Sequence, residues 1–288
     1  MSRVVDLNSP AISLAEGEAI PSHTRPRISR VEQVFRVVVT LALVALVVNM
    51  VTNANFQWPV VWSYLFNPSI LEGLWATAWI TVVCMIIAIA LGFVLAFMGL
   101  ARSRYVAAAA EIYIAFFRGT PLLVQLIFWY NIAALYPELF IGFPGGPHLD
   151  VDVNAIITPI AAAILGLGLN EAAYMAEIFR GGLHSIPRGQ LEAANALGLS
   201  GWTRARRVVI PQLLPIVVPP TWNQLIAMLK NTSLISIIGA TELLYSAQAI
   251  YARTYETIPL LIVVSLWYLA LSVGLTVVQR FIEKAVKK

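Results

Sequence analysis

Residues 74–100 read LWATAWITVVCMIIAIALGFVLAFMGL, a run without one charged side chain. A bilayer core about 30 Å thick takes about 20 mostly apolar residues as a helix. The run therefore predicts a transmembrane helix, and its surroundings have the same character. Of the 288 residues, 59% are hydrophobic and 12% are charged, and the mean hydropathy is +0.78. Ordinary soluble domains are about 45–50% apolar and carry about twice this charge. An ordinary soluble enzyme is thereby excluded, as are a disordered chain and a collagen-like one.

Working outward, five further apolar stretches emerge. They are 37–51, 121–140, 155–178, 213–229 and 258–278. The fold class is thus an all-α polytopic membrane protein with about six transmembrane helices, or five if 37–51 lies on the surface. The basic residues test this count. Seventeen of the nineteen Lys and Arg fall before the first span, between spans two and three, between four and five, or after six. Only Lys230 and Arg253 fall elsewhere. The positive-inside rule makes the basic side cytoplasmic and places both termini there. The outer connections, 52–73, 141–154 and 232–259, carry Glu72, Asp150, Asp152, Glu242 and Glu256. Trp58, Trp62 and Tyr64 suit an interfacial belt.

The net charge of +4 therefore belongs to short loops beside the lipid surface, not to a nucleic-acid partner. The polar, proline-bearing segment 1–34 predicts a flexible cytoplasmic tail rather than a cleavable secretory signal. The single cysteine, Cys84, cannot form an intrachain disulfide, and the three scattered histidines predict no metal site.

The segment 180–211 is too polar to span and too ordered in pattern for a linker. Ser185 is placed to cap a short helix, with Pro187 early in it. Leu191, Ala194 and Leu197 then share one apolar face. Gly198 occupies the position just past the helix end. Ser200 is placed to cap a second short helix, and Pro211 to open the next membrane helix. A glycine-turned hairpin under the membrane results. Docking of a cytoplasmic partner and packing on the protein's own inner face both account for it.

This stretch carries a resemblance. EAANALG at 192–198, followed after nine residues by VVIP at 208–211, resembles the EAA signature of permease subunits of bacterial ABC importers, with Val208 and Ile210 at its two aliphatic positions. FFRGTPLLVQL at 116–126, AAYMAEIFRGGLHSIPRGQLEAANALG at 172–198 and LKNTSLISIIG at 229–239 are similar to its polar amino acid class. The resemblance covers about 71–284 and implies the type I ABC importer permease fold. Segment 35–70 becomes an extra N-terminal transmembrane helix and outer linker ahead of a five-helix core at 71–284. It also implies partners: two cytoplasmic ABC ATPase subunits, a second permease subunit (identical or sister), an extracytoplasmic solute-binding protein and a polar amino acid substrate. Coupling to the ATPase falls on Arg188, Glu192, Ala193, Ala194 and Gly198. The chain has no phosphate-binding G-x-x-x-x-G-K-[ST] loop. It is expected to bind no cofactor and to catalyse nothing, with ATP and Mg used by the partner ATPase. The expected location is the bacterial inner membrane.

Ionisable and amide groups at membrane depth are functional suspects. Glu171 and Asn170 lie well inside the fourth span. Gln125 joins them as a candidate for the substrate pathway, as do Asn223 and Lys230, which are seven residues apart on one helical face. Glu177 with Arg118 and Arg180 reads as an inner structural network. A stand-alone secondary transporter or channel for a small polar solute is the competing reading. The structured inner loop and the lack of a duplicated set of spans count against it.

Overall fold

A computed structural model of the chain describes residues 29–142 and 148–286. The tail read above as flexible lies, up to residue 28, outside the described residues. Two compact units divide at Asn53/Ala54.

The first unit contains helix α1, Arg30–Thr52. Ser29 caps it by accepting a hydrogen bond from Glu32 N at 3.1 Å, and Arg36 pairs with Glu32 one turn on, at 2.7 Å. No residue of α1 is buried. Beyond Arg36 its side chains are apolar on nearly every face, which suits a lipid solvent.

The second unit begins with α2 (Trp58–Leu65) and α3 (Pro68–Gly99). The outer linker expected to belong with α1 thus sits partly in this unit: Val61 is buried beside Leu260 and Val263 of the last helix. Next come α4 (Arg104–Gly119) and α5 (Leu122–Tyr130), the antiparallel strands β1 (Glu138–Gly142) and β2 (His148–Asp152), and the short α6 (Val153–Ile156). Helix α7 (Pro159–His184) leads to α8 (Arg188–Ala196) and α9 (Gly201–Arg204). A π-turn, Ala205–Val209, joins α9 to α10 (Ile210–Asn231). Helices α11 (Leu243–Thr254) and α12 (Thr257–Val286) complete the described chain. Four helices (α1, α3, α7 and α12) are long and apolar enough to cross a membrane. The count reaches six if each of two bent pairs forms one span. The architecture is a multi-span, all-α membrane fold with one small hairpin added.

One span and one connection differ from the sequence reading. The third, expected over 121–140, is instead a bent pair in which α4 meets α5 at 102°. Helix α4 escapes a hydropathy search because Arg104, Glu111 and Arg118, seven residues apart, give it a charged face distinct from the one that carries the buried Ala110, Ile114 and Phe117. Thr120 and Pro121 then break the chain, since Pro121 has no N–H with which to continue the helix. Beyond Tyr130, residues expected inside the span form a 3-10 turn, Ile132–Ala134, and then open β1 at Glu138.

The connection expected over 232–259 is largely helical and internal. A 3-10 turn, Thr232–Ile238, ends at Gly239, whose φ of +73° a residue with a Cβ adopts at a cost. Thr232 and Ser236 are buried because their hydroxyls donate back to Leu229 O and Ser233 O, at 2.7 and 2.8 Å. Glu242, expected on the outer surface, is fully buried. Its carboxylate accepts from Tyr245 N at 2.7 Å and Tyr268 Oη at 2.8 Å, which ties the start of α11 to α12.

The core is centred on α7. Small residues let its neighbours approach closely. A Cβ on Gly92 of α3 would lie 2.5 Å from Met175 Cβ and 3.0 Å from Ala172 O. Since Ala172 O is helix backbone, it cannot move aside cheaply. Gly92→Val is therefore expected to cost about 1–3 kcal/mol by overpacking. The measurement is thermal unfolding of the detergent-solubilised protein, and an unchanged Tm would contradict this packing.

Candidate functional site: a polar cavity beside a broken helix, and an inner hairpin

The break between α4 and α5 exposes the last carbonyls of α4, which have no partner in their own helix. Two amides meet them. Gln125 Nε2 donates to Phe117 O at 3.0 Å, to Thr120 O at 3.2 Å and to Thr120 Oγ1 at 2.7 Å. Asn170 Nδ2 donates to the same Phe117 O at 2.8 Å and to Gln125 Oε1 at 3.1 Å. The structure thus brings Gln125 and Asn170 together, but spends their donors on bracing the bend. Left unpaired in an apolar interior, such carbonyls each cost about 1–3 kcal/mol.

Beside this brace lies a cavity of about 550 Å³ lined by Arg118, Asn170, Glu171, Tyr174, Gln224 and Asn231, among others. Glu171 is 3% exposed. Among the described residues, its Oε1 is a buried acceptor without a hydrogen-bond partner. A carboxylate held this way at a cavity wall offers an acceptor to a cationic or hydrogen-bond-donating guest.

The remaining candidates sort by helix face. Asn223 points away from the cavity and accepts from Gln279 Nε2 at 3.0 Å. Lys230 is exposed and does not line the cavity. Their seven-residue spacing identified a face, but the cavity belongs to the next one round, which carries Gln224 and Asn231. Those two are also seven apart, so periodicity could have found them. Tyr174, one turn beyond Glu171, gave no signal in the sequence.

Below the cavity, Glu177 pairs with Arg180 at 2.5 Å and with Arg118 across the α4–α7 contact at 3.4 Å. The Arg118 guanidinium also lies over the Tyr174 ring, 5.4 Å from its centroid.

The α8–α9 hairpin ends α8 in a Schellman turn. Gly198 N donates to Asn195 O at 2.9 Å, and Leu199 N donates to Ala194 O at 3.1 Å. The left-handed residue this turn requires is Gly198, with φ +67°. Arg204 bonds Asn195 across the turn. Ser200 caps α9, accepting from Thr203 N at 3.4 Å. The second helix, expected to end before Pro211, instead runs through the π-turn into α10. Pro211 lacks the N–H that a regular α-turn needs there, and the π-turn just before it takes in one extra residue, a local underwinding.

Ala194 is buried, and Leu191 packs against Ile186, Leu213 and Val217. Part of the expected apolar face is therefore spent on the protein's own core. Arg188, Glu192 and Ala193 are exposed. So are Leu197, at 77%, and Trp202, at 73%, which project from the hairpin tip.

Comparison with known proteins follows from this geometry. Residues 88–288 match the family described as binding-protein-dependent transport system inner membrane component. The chain is 35% identical over 98% of its length to the arginine transport system permease protein ArgU of Corynebacterium glutamicum, covering 88% of that protein. It is 33% identical over 81% of its length to the glutamine transport system permease protein GlnP of Escherichia coli K12, covering 99% of it. Among solved structures, an amino acid ABC transporter crystallised with histidines superposes with a TM-score of 0.65 at 29% identity. That match covers 76% of this chain and 95% of the other. The MetNI methionine ABC transporter in an inward-facing form shares the fold, with a TM-score of 0.60 at 19% identity, over 76% of this chain and 97% of that one.

Proposed function

Because the chain belongs to the family of binding-protein-dependent inner-membrane transport components, as a permease subunit of an ABC-type amino acid importer, we propose that its cargo is a basic amino acid held at Glu171. A multi-pass permease of the bacterial inner membrane is a transport subunit rather than an enzyme, and family membership decides against a stand-alone secondary transporter.

The observation that carries the cargo assignment is the unpartnered, buried Glu171 Oε1 at the wall of a polar cavity. Burying a carboxylate without a partner is costly, and a guanidinium or ammonium on the guest relieves that cost. Gln224 and Asn231 supply amide donors and acceptors for the rest of the molecule. Two relatives point the same way by name: ArgU, and the arginine permease ArtQ of Bacillus subtilis, 34% identical over 76% of this chain.

The working assembly has two permease subunits, two cytoplasmic ATPases that use ATP and Mg, and an extracytoplasmic solute-binding protein. The hairpin of α8 and α9 is the coupling element. Arg188, Glu192 and Ala193 offer polar and small surface, Gly198 sets the turn, and Leu197 and Trp202 supply the apolar anchors. Ala194 supports the hairpin from beneath. Residues 71–284 form the transport core, and α1 is an added membrane anchor.

The test is uptake by the reconstituted complex against a panel of labelled amino acids. Arginine and lysine are expected to accumulate at least tenfold faster than glutamate. Preference for glutamate would overturn the cargo assignment.

A further inference from the structure

Three residues at three-residue spacing form a ladder down α7: Glu171, Tyr174 and Glu177. At 1.5 Å and 100° per residue, the two carboxylates are about 9 Å apart along the axis and about 120° apart around it, with Tyr174 midway in both. Arg118 stands against this ladder. It pairs with Glu177 at 3.4 Å, lies over the Tyr174 ring, and shares the cavity wall with Glu171.

The pairing is unequal. Glu177 already has Arg180 at 2.5 Å, so it keeps a cation when Arg118 leaves. Glu171, by contrast, has an unpartnered oxygen. Arg118 is also the second-last residue of α4, beside the Thr120–Pro121 break. The backbone there is held to α7 through Phe117 O and Asn170, so a repacking of the 102° joint changes which carboxylate the Arg118 side chain meets without sliding α4 along α7. Bistable packing at such a joint is what turns small shifts into two discrete states.

We propose that Arg118 is an internal competitor of the cargo. In the state seen here it rests on Glu177 and Tyr174, leaving Glu171 open. In the alternate state it steps across Tyr174 to Glu171 and displaces the cationic group bound there. Arg118 is a positioning and release residue: it neutralises the cargo's own anchor at the moment of discharge. The inference rests on the reading of Glu171 as the cargo acceptor.

The distinguishing feature is the sign of two effects. Binding of labelled L-arginine is measured in the assembled complex without nucleotide, together with ATP-driven uptake. Arg118→Gln removes the competitor, so affinity should rise severalfold while the maximal uptake rate falls. Glu177→Gln removes the resting place and frees Arg118 for Glu171, so affinity should fall severalfold. The double variant should bind like Arg118→Gln alone, because the competitor is gone. Arg118→Lys, which keeps the charge, should fall between wild type and Arg118→Gln; this conservative variant keeps the test open if the glutamine variant does not assemble.

A purely structural brace moves Arg118→Gln and Glu177→Gln in the same direction, and that result, or no change in either, overturns the proposal. Failure of the cargo reading is separately visible. If Glu171→Gln leaves arginine binding unchanged, Glu171 is not the acceptor. If Glu171→Gln weakens binding but the two other variants move together, only the competitor role fails.

Discussion

Gly198→Asp is expected to reach the membrane at wild-type level and to lose at least nine-tenths of its uptake, while ATP hydrolysis in the assembled complex persists. The reasoning separates folding from coupling. A Cβ built on Gly198 meets nothing within 4 Å, so no neighbour is struck. What remains is the backbone penalty at φ +67°, about 1–2 kcal/mol for a non-glycine residue. That is small beside the packing of α7 with its neighbours, so the membrane core folds. The hairpin is less protected. Its two Schellman hydrogen bonds fix how Leu197 leaves α8 and where Trp202 enters α9. Shifting that turn moves both apolar anchors relative to a partner groove, and the aspartate adds a charge that must be desolvated there. Transport rate in vesicles, read against ATPase rate on the same sample, checks the separation. Normal uptake at normal protein level would contradict a coupling role for this turn.

The second large effect concerns Glu171→Gln. The change is nearly isosteric, so the packing of α7 against α3 and α5 is kept. It removes the negative charge from the cavity wall and supplies an amide whose N–H repels a cation. Uptake of arginine is expected to fall at least tenfold, chiefly through KM. Uptake of glutamine, which has no side-chain charge, should change less. The ratio of the two rates is the informative quantity, because a general loss of expression scales both. Equal kinetics across basic and neutral cargo, before and after the substitution, would contradict the role assigned to this carboxylate.

Much of the fold was legible because lipid imposes a simple length rule on helices. The uncharged run at 74–100 and the stretches near 155–178 and 258–278 each fall largely within one long helix. The rule fails where a span is built from pieces. Helix α5 has nine residues, too few to cross alone, and its companion α4 carries charges that mask it. The 3-10 turn after α10 hides for a related reason. Its Thr and Ser hydroxyls satisfy themselves on backbone carbonyls, so residues that look solvent-facing are buried.

The cavity was legible only in part. Buried Glu171 announces itself as a charge inside an apolar helix. Gln125 and Asn170 announce themselves as amides in apolar helices, yet both hold the helix break, and only Asn170 also borders the cavity. No periodicity distinguishes those duties, because both require a polar group on an inward face. Choosing between Asn223 and Gln224 needed one step around α10, about 100° of rotation. Sequence alone leaves that step open on a helix with Pro215, Pro219 and Pro220 inside it.

The central claim is that the α8–α9 hairpin is a cytosolic grip for a separate motor, and one labelling measurement reaches it directly. Cys84 is the only cysteine and is buried in α3, so replacing it with alanine leaves a chain ready for a single introduced thiol. With Leu197→Cys in that background, a membrane-impermeant maleimide is applied to sealed right-side-out and inside-out vesicles. The account predicts labelling only in inside-out vesicles, with protection when the ATPase is assembled on the permease. Labelling from the outer face, or no protection by the ATPase, would contradict it.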